Sequence, residues 1–503
     1  MEQPDWAAPL GNAYESALAF LTGLPSRPVG ARTSDLDLQS GLGGPLPETP
    51  EDPRKVIEML AAAAEPGLVA TPSGRFFGFV VGGSSPAALA ADWLTSAWDQ
   101  NAGLYALGPA AATVEQVAGG WLAELLGLPA DVSVGFVTGV QMANFTALAA
   151  ARHEMLTRAG WNVEADGLTG APRLRVLAGR QRHDTIDRAL RFLGVGTNAI
   201  VPVDVDDQGR MRPEALRAGL REESGPMIVC AQVGNVNTGA IDPVREICDV
   251  ANEAGAWVHV DGAFGLWAGA SPKLRPLVAG VNLADSWATD AHKWLNVPYD
   301  SGLVFCANSE AHRAAMGVRA SYLIHGADSE RDALDYNPEF SRRARGFPVY
   351  AAIRALGRAG IAELVERCCA LARRFADRLG DDDGVEVLND VVLNQVLVRL
   401  PAADGDHDGH TRRVVQQLQR EGTCWMSGTT WRGHAAMRIS VSNWSTDEAD
   451  VDRSVEAILR CARAATGSPR GHELPASAAG HAATHSLPYA AEDQAACLDA
   501  LGS

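Results

Sequence analysis

The sequence predicts an α/β protein with a mainly parallel sheet, followed by a smaller α+β domain. Short β-branched and apolar runs alternate with helical patterns from about residue 130 to 306, which is typical of a parallel sheet covered by helices on both faces. The chain has 503 residues, enough for two or three domains. Its 47% hydrophobic and 21% charged residues lie close to globular averages, so we expect it to fold.

In the large domain, short predicted strands alternate with predicted helices. The strands are Val132–Val137, Leu174–Leu177, Met227–Gln232, Trp257–Val260 and Gly302–Cys306. The helices are Met142–Leu156, Thr185–Leu193, Pro213–Leu220 and Pro243–Glu253. Upstream, Ser85 as N-cap and Pro86 at the first helical position predict a helix that runs through Trp98.

The order of these patterns predicts four segments. They are an N-terminal arm at 1–84, the large domain at 85–365, the small domain at 366–465, and a disordered tail without periodicity at 466–503. Further helical patterns cover 346–358, 361–379, 411–421 and 447–463. Extended patterns cover 391–400, 424–427 and 437–441.

The charge balance, 43 basic against 61 acidic residues, argues against binding to nucleic acid or an anionic membrane. The N-terminus lacks a signal-peptide pattern, and no window reaches the roughly 18 apolar residues of a membrane span. Eight scattered cysteines lack the spacing of a zinc site or a disulfide scaffold. Asp404, Asp406 and Asp408 match the start of a calcium loop, but Val415 stands where a bidentate glutamate is needed. We therefore expect a cytoplasmic protein with reduced thiols and no metal site.

Lysine is scarce in this chain, since only Lys55, Lys273 and Lys293 are lysines. Arginine can replace lysine as a surface cation, but a guanidinium does not deprotonate in proteins and cannot serve as an amine nucleophile. Lys293 follows a strand and lies among tryptophans and a leucine, where burial would favour the neutral amine that condenses with an aldehyde. A salt-bridged or snorkelling lysine fits the same neighbours, so the surrounding elements must decide.

Asp261 ends the hydrophobic strand that begins at Trp257. Ligands of α/β sheets lie beyond the carboxyl ends of the strands, so this carboxylate is expected to point into a site. A buried carboxylate needs a cationic partner, and a protonated pyridine nitrogen is one. A structural aspartate that caps the next turn is the alternative.

Two further elements suit a phosphorylated aromatic cofactor. A strand passes through Thr138 and Gly139 into a helix, whose free N–H groups and dipole suit a phosphate contacted by Thr138, Val140 and Gln141. His183 opens the helix after another strand and could stack on an aromatic ring or shuttle protons. Each element by itself is common in proteins without such a site.

In order and spacing, these four elements resemble the group II pyridoxal-phosphate-dependent decarboxylases, the family of aromatic-amino-acid and glutamate decarboxylases. The motifs are His259–Ala263, which reads His-Val-Asp-Gly-Ala, and Asp285–Trp294, where Asp-Ser is followed by His-Lys-Trp. The resemblance covers roughly residues 70–460. It implies a fold type I (aspartate-aminotransferase-like) large domain, pyridoxal 5'-phosphate (PLP) as cofactor, and an amino acid as the small-molecule substrate. It also implies a homodimer in which the arm at 1–84 takes part.

The resemblance implies roles for individual residues. Lys293 would form the Schiff base with the cofactor, Asp261 would bind the pyridinium nitrogen, and His183 would stack on the ring. The other implied cofactor-binding residues are Thr138, Val140 and Gln141 near the phosphate, Ala263 beneath the ring, and His292 beside the lysine.

The chain departs from the family at two places. The turn Gly234–Pro243 lacks the family's threonines near the cofactor, and Ser73-Gly74 replaces the His-Pro that precedes Phe76-Phe77. Substrate positioning is expected to differ accordingly.

Family decarboxylases carry a loop tyrosine that protonates the substrate carbon after carbon dioxide leaves. The corresponding loop here is 328–341 with Tyr336 as the proton donor, and Tyr322 is a rival. We therefore predict decarboxylation of an L-amino acid, with aromatic ones as a candidate class, to the amine and carbon dioxide. The alternatives are an aldehyde synthase or oxidative deaminase, an aminotransferase-type reaction and, more remotely, a non-catalytic cofactor-binding relative.

Overall fold

A computed structural model describes residues 5–318 and 330–466, and its large sheet has seven strands. Their spatial order is β1-β7-β6-β5-β4-β2-β3, and only β7 runs antiparallel to its neighbours. All five predicted strands are present within two residues at each end, and β3 and β6 are additional. The strands are β1 Ser133–Val137, β2 Arg175–Gly179, β3 Ile200–Val203, β4 Met227–Gln232, β5 Trp257–Asp261, β6 Ser286–Asp290 and β7 Gly302–Cys306.

Helices separate the strands from β1 to β5, as the alternating pattern predicts. The helix predicted after Ser85 and the four predicted between strands are all present, with ends shifted by up to two residues. The helices up to the small domain are α1 Ala7–Gly23, α2 Asp35–Leu42, α3 Pro53–Ala64, α4 Pro86–Trp98, α5 Pro109–Leu126, α6 Val140–Arg158, α7 Val163–Asp166, α8 Asp184–Phe192, α9 Pro213–Glu222, α10 Val244–Glu253 and α11 Ser309–Met316.

The small sheet is antiparallel, in the order β10-β11-β9-β8. The helices predicted at 346–358 and 361–379 form one element interrupted at Gly357, where the backbone leaves the helical region. The extended run predicted at 424–427 precedes β10 and shares only Ser427 with it, because Arg432 and Gly433, both at positive φ, form the hairpin turn that sets the register. The elements are α12 Gly346–Gly380, β8 Glu386–Val387, β9 Gln395–Arg399, α13 His407–Glu421, β10 Ser427–Trp431, β11 His434–Ser440 and α14 Glu448–Thr466.

The described chain divides into two compact units. Residues 5–13 and 32–68 belong to the first, which contains α2 and α3, and residues 14–31 and 69–466 to the second. The predicted boundary at 365/366 falls inside α12, so the domain limits stay predictions. The predicted tail beyond 466 lies outside the described residues. Among the described helices, none is both long and apolar enough to span a bilayer.

The core lies around β5, β6 and β7, in which every residue is buried. Strands buried on both faces usually read as continuous apolar runs, as β7 does, whereas β6 contains Ser286, Thr289 and Asp290 and its pattern gives no such signal. Since β1, β5 and β6 run in the same direction, their carboxyl ends meet at one edge of the sheet. The candidate site lies at this edge.

Candidate active site

Lys293 lies three residues beyond β6, in an ion pair with the last residue of that strand. Its Nζ is 3.0 Å from Oδ2 of Asp290, and the two side chains are 19% and 3% exposed. His292 Nε2 is 3.4 Å from the other carboxylate oxygen. Burial raises the pKa of a carboxyl, but Lys293 and then His292 lower that of Asp290 to about 2. Asp290 is therefore ionised.

Asp261 ends β5 and is buried, with 4% of its surface exposed. Its Oδ1 accepts from the backbone N–H of Ala263 at 3.2 Å, and its Oδ2 accepts from Nδ2 of Asn144 at 3.2 Å. The carbonyl of Ala263 in turn accepts from the backbone N–H of Asp290 at 2.9 Å. Ala263 therefore connects the ends of β5 and β6.

His183 is the N-cap of α8, and its Nδ1 accepts from the backbone N–H of Thr185 at 3.3 Å. The side chain is exposed at the sheet edge, yet the protein atoms around the ring still desolvate it. This desolvation lowers the pKa of His183, while Asp261 acts in the opposite direction and Lys293 in the same one. His183 thus lies within electrostatic reach of both Asp261 and Lys293.

Comparison with known proteins identifies the family of this chain. The model of the pyridoxal-dependent decarboxylase conserved domain matches residues 37–401. The chain belongs to this family. Its fold is therefore the PLP-dependent fold type I, and its cofactor is PLP.

Three similar proteins illustrate the range of the family. Tryptophan decarboxylase 1 of Oryza sativa subsp. japonica is 30% identical over 80% of this chain and 83% of its own. The 4-hydroxyphenylacetaldehyde synthase of Rhodiola rosea is 27% identical over 88% of this chain and 91% of its own. A crystal structure of Oryza sativa TDC with PLP and tryptamine has a TM-score of 0.86 at 26% identity, covering 92% of this chain and 99% of that one.

The side chains at the sheet edge fit the ring of PLP. Asp261 is a buried carboxylate held by two N–H donors, and no cation lies within ion-pair distance among the described residues. Its remaining lone pairs suit a protonated pyridine nitrogen. The amine of Lys293 is partly exposed at the same edge, as an amine that meets an aldehyde must be.

The phosphate end differs from the prediction at Val140. Its amide was expected to face the phosphate, but it donates to Oδ1 of Asp290 at 2.7 Å. The next amide, that of Gln141, also lies in the first turn of α6, where N–H groups lack intrahelical acceptors. The side-chain amide of Gln141 contacts the carbonyl of Thr185 at 3.4 Å, and Thr138 is half-buried just before the helix. A carboxylate of the protein thus takes the first amide of this helix, and the predicted contacts of Thr138 and Gln141 with a phosphate stay predictions.

A side chain at position 139 would crowd the imidazole next to this carboxylate. A Cβ on Gly139 would approach Cε1 of His292 to 3.1 Å. Nδ1 of His292 accepts from the backbone N–H of Ser301 at 3.1 Å, so its Nε2 carries the proton of the neutral ring. Tyr299 lies against this imidazole, with ring centroids 4.3 Å apart, and its side chain is 60% exposed. Sequence reasoning missed Tyr299 as a hydroxyl near the site.

The prediction that Tyr336 donates a proton is not supported by its position. Its ring contacts His312 at 5.3 Å and Arg331 at 4.8 Å. His312 in turn contacts Ser133, the first residue of β1, whereas the site is at the other end of that strand. Within one chain, Tyr336 therefore lies away from Lys293, and its rival Tyr322 lies outside the described residues.

Three further polar residues at the site were not predicted. Asp290 could have been suspected, because it precedes Lys293 by three residues. Asn144 is a polar residue on the otherwise alanine-rich buried face of α6. Arg438 on β11 gives no local signal: it is 8% exposed and forms no ion pair with another described residue. Burial lowers its pKa to about 10, and it acts electrostatically on His183, so it lies toward the site.

Proposed function

We propose that this enzyme removes the α-carboxylate of an L-amino acid as carbon dioxide and releases the amine. The observation that carries the proposal is that Asp261 ends β5 while Lys293 and His183 follow β6 and β2, so all three lie at the carboxyl edge of the parallel strands. In the proposed reaction, Lys293 holds the cofactor covalently, Asp261 keeps the pyridine nitrogen protonated, and His183 packs on the ring. PLP, when bound, supplies an electron sink for the pair released at the substrate α-carbon.

Aromatic amino acids are the substrate class that we propose. The rings of Phe76 and Trp425 stack at 5.0 Å, and Phe79 lies 5.4 Å from Trp425 with 55% of its side chain exposed. The same segment continues to Gly82, whose Cα abuts the carbonyl of Lys293. This aromatic surface, on the segment that leads to Gly82, is consistent with the tryptophan and the aromatic aldehyde that the names of two relatives print.

Arg438 offers a cation for a carboxylate of the substrate. A buried guanidinium without a carboxylate partner is costly, and an anionic ligand would supply one. We expect Arg438→Met to raise KM by about tenfold or more, the equivalent of one charge-assisted hydrogen bond, with a smaller change in kcat. Arg367→Met on α12, which contacts backbone carbonyls near α14, is the control and should leave KM unchanged.

The main test measures products from a panel of L-amino acids. Carbon dioxide with an equal amount of amine supports decarboxylation, whereas carbon dioxide with equal amounts of aldehyde, ammonia and hydrogen peroxide, formed at the expense of dioxygen, indicates decarboxylation coupled to oxidative deamination. The visible absorbance of bound PLP should disappear in Lys293→Ala and persist in Lys273→Ala, whose amine lies on the surface. A wild-type protein that stays colourless with added PLP would refute the proposal, and PLP binding without turnover of any amino acid would indicate the non-catalytic alternative.

Aldehyde formation is the second candidate reaction. It is favoured by the position of Tyr336 away from the site and by the similarity to an aldehyde synthase. Tyr322→Phe, Tyr336→Phe and Tyr299→Phe should be compared by the ratio of aldehyde to amine. We expect Tyr336→Phe to leave this ratio unchanged, and a rise in Tyr322→Phe or Tyr299→Phe would identify the proton donor.

A homodimer is the proposed assembly. Tyr14, Trp93, Leu94 and Trp98 are 42–53% exposed on α1 and α4, and the rings of Tyr14 and Trp93 contact each other. Large apolar side chains clustered on one surface are typical of a protein contact. Light scattering should give twice the chain mass, and Trp93→Glu should weaken the dimer where Leu277→Glu does not. The cytoplasmic location stays a prediction from the sequence.

A further inference from the structure

Asn144 is the hub of a buried hydrogen-bond network beneath the site. It lies on α6 and is fully buried. Its Nδ2 is 3.2 Å from Oδ2 of Asp261 and 3.1 Å from Oγ1 of Thr185, and its Oδ1 is 2.9 Å from Nε2 of His259. Since the nitrogen faces two oxygens, Asn144 donates to Asp261 and Thr185 and accepts from His259.

This assignment determines where the protons of His259 and Ser286 lie. The amide oxygen of Asn144 can only accept, so Nε2 of His259 carries a proton and Nδ1 of the neutral ring accepts. Ser286 Oγ lies 3.0 Å from that Nδ1 and must donate to it, and it accepts from Nε1 of Trp257 at 2.9 Å. Burial lowers the pKa of His259 to about 4, which is consistent with a neutral ring. Trp257, His259 and Asp261 alternate along β5 and therefore share one face.

The other branch leads to His183. Oγ1 of Thr185 accepts from Asn144 and lies 3.0 Å from Nδ1 of His183, so its hydroxyl proton points to that nitrogen. The backbone N–H of Thr185 donates to the same atom. Nδ1 of the neutral His183 ring is therefore an acceptor, and Nε2 carries the proton. Every donor from Trp257 to His183 thus points in one direction.

We propose that Asn144 is a positioning residue that orients the carboxylate of Asp261 and sets the tautomer of His183 through this one-directional chain. The inference rests on the proposed function, because it assumes that Asp261 meets the pyridine nitrogen. Cys230 on β4 also faces Asp261, but burial raises the pKa of its thiol, so it stays neutral and does not replace Asn144. Asn144 and the backbone N–H of Ala263 each donate to one carboxylate oxygen of Asp261. The other lone pairs of these two oxygens are left for a ligand.

Two kinds of substitution separate hydrogen bonding from volume. Asn144→Asp keeps the shape but places an acceptor against Asp261 and Thr185. The Kd for PLP should rise by about tenfold or more, and the pH midpoint of the bound-cofactor absorbance should shift. His259→Gln can donate to Asn144 and accept from Ser286, whereas His259→Leu can do neither. We expect His259→Gln to stay within about threefold of the wild-type Kd and His259→Leu to weaken binding by about tenfold.

The controls keep the outcomes distinct. Thermal unfolding of each cofactor-free variant reports whether it folds. If Asn144→Asp does not fold, the two His259 variants still test the inference. Wild-type PLP affinity and pH midpoint in Asn144→Asp, or equal losses in both His259 variants, would overturn the inference. Asp261→Asn separates it from the proposed function. If Asp261→Asn leaves PLP binding unchanged, the proposed role of Asp261 fails, whereas a loss there with none in the Asn144 and His259 variants rejects only the positioning role.

Discussion

The ion pair between Lys293 and Asp290 offers a sharp test of the site electrostatics, because the chain contains a matched exposed pair. The buried pair is 3.0 Å long with side chains 19% and 3% exposed, and Lys273 and Glu366 form a 2.6 Å pair with side chains 79% and 24% exposed. Distance alone would make the exposed pair the stronger. Burial reverses this expectation, because water screens the exposed charges.

The magnitude follows from these distances. At an effective dielectric constant of about 20, charges 3.0 Å apart attract by about 5 kcal/mol, and removing one partner of a buried pair typically costs about 3–5 kcal/mol. His292, 3.4 Å from the carboxylate, remains to compensate in part. We therefore expect Lys293→Met to lower the free energy of unfolding by about 3 kcal/mol. Lys273→Met should lower it by about 1 kcal/mol or less.

Urea unfolding of the cofactor-free proteins at pH 7.5 measures the two double-mutant cycles. One cycle combines Lys293→Met with Asp290→Asn, and the other combines Lys273→Met with Glu366→Gln. Asparagine at 290 still accepts from the amide of Val140, so the double variant should regain most of the stability lost in Lys293→Met. Added salt should reduce the coupling of the exposed pair and hardly affect that of the buried pair. Equal coupling energies in the two cycles would refute the reasoning.

Three further predictions concern the scaffold around the site. His312 is buried, and burial lowers its pKa to about 3, whereas the pKa of an unfolded histidine is about 6.5. Below about pH 6.5 the unfolded chain binds a proton that the folded protein does not, so the wild type should lose about 2 kcal/mol of stability at pH 5. His312→Gln should lose less between pH 7.5 and 5 in urea midpoints, and parallel pH curves would contradict the assignment. Arg75 contacts the carbonyls of Leu24, Pro25, Arg27 and Thr423, so Arg75→Met should destabilise the protein by about 2 kcal/mol or more and expose 24–27 to limited proteolysis. A Cβ on Gly82 would overlap the carbonyl of Lys293, so Gly82→Ala should abolish the visible absorbance of bound PLP, whereas Gly120→Ala on α5, with no atom within 4 Å of its Cβ, should retain it.

The pattern of local hydrophobicity was sufficient for most of the fold. Strands such as Met227–Gln232 and Gly302–Cys306 are buried on both faces, so their apolar runs identify them without tertiary information. Ile200–Val203 was missed because it is a half-exposed edge strand that contains a proline. The extended run predicted at 424–427 was displaced for a different reason. The pairing of β10 depends on the hairpin turn at Arg432 and Gly433, several residues away.

The sequence by itself identified two candidate residues, a scarce lysine at 293 and a strand-end aspartate at 261, which lie at one sheet edge because the parallel strands β5 and β6 are neighbours. The tertiary structure alone decided which partners these residues have. Asn144 reaches Asp261 across 117 positions, and Asp290 takes the amide of Val140 across 150. It also decided that Tyr336 packs at the far end of β1. Local periodicity specifies which face of an element is buried, whereas partners so distant along the chain are set by how the elements pack.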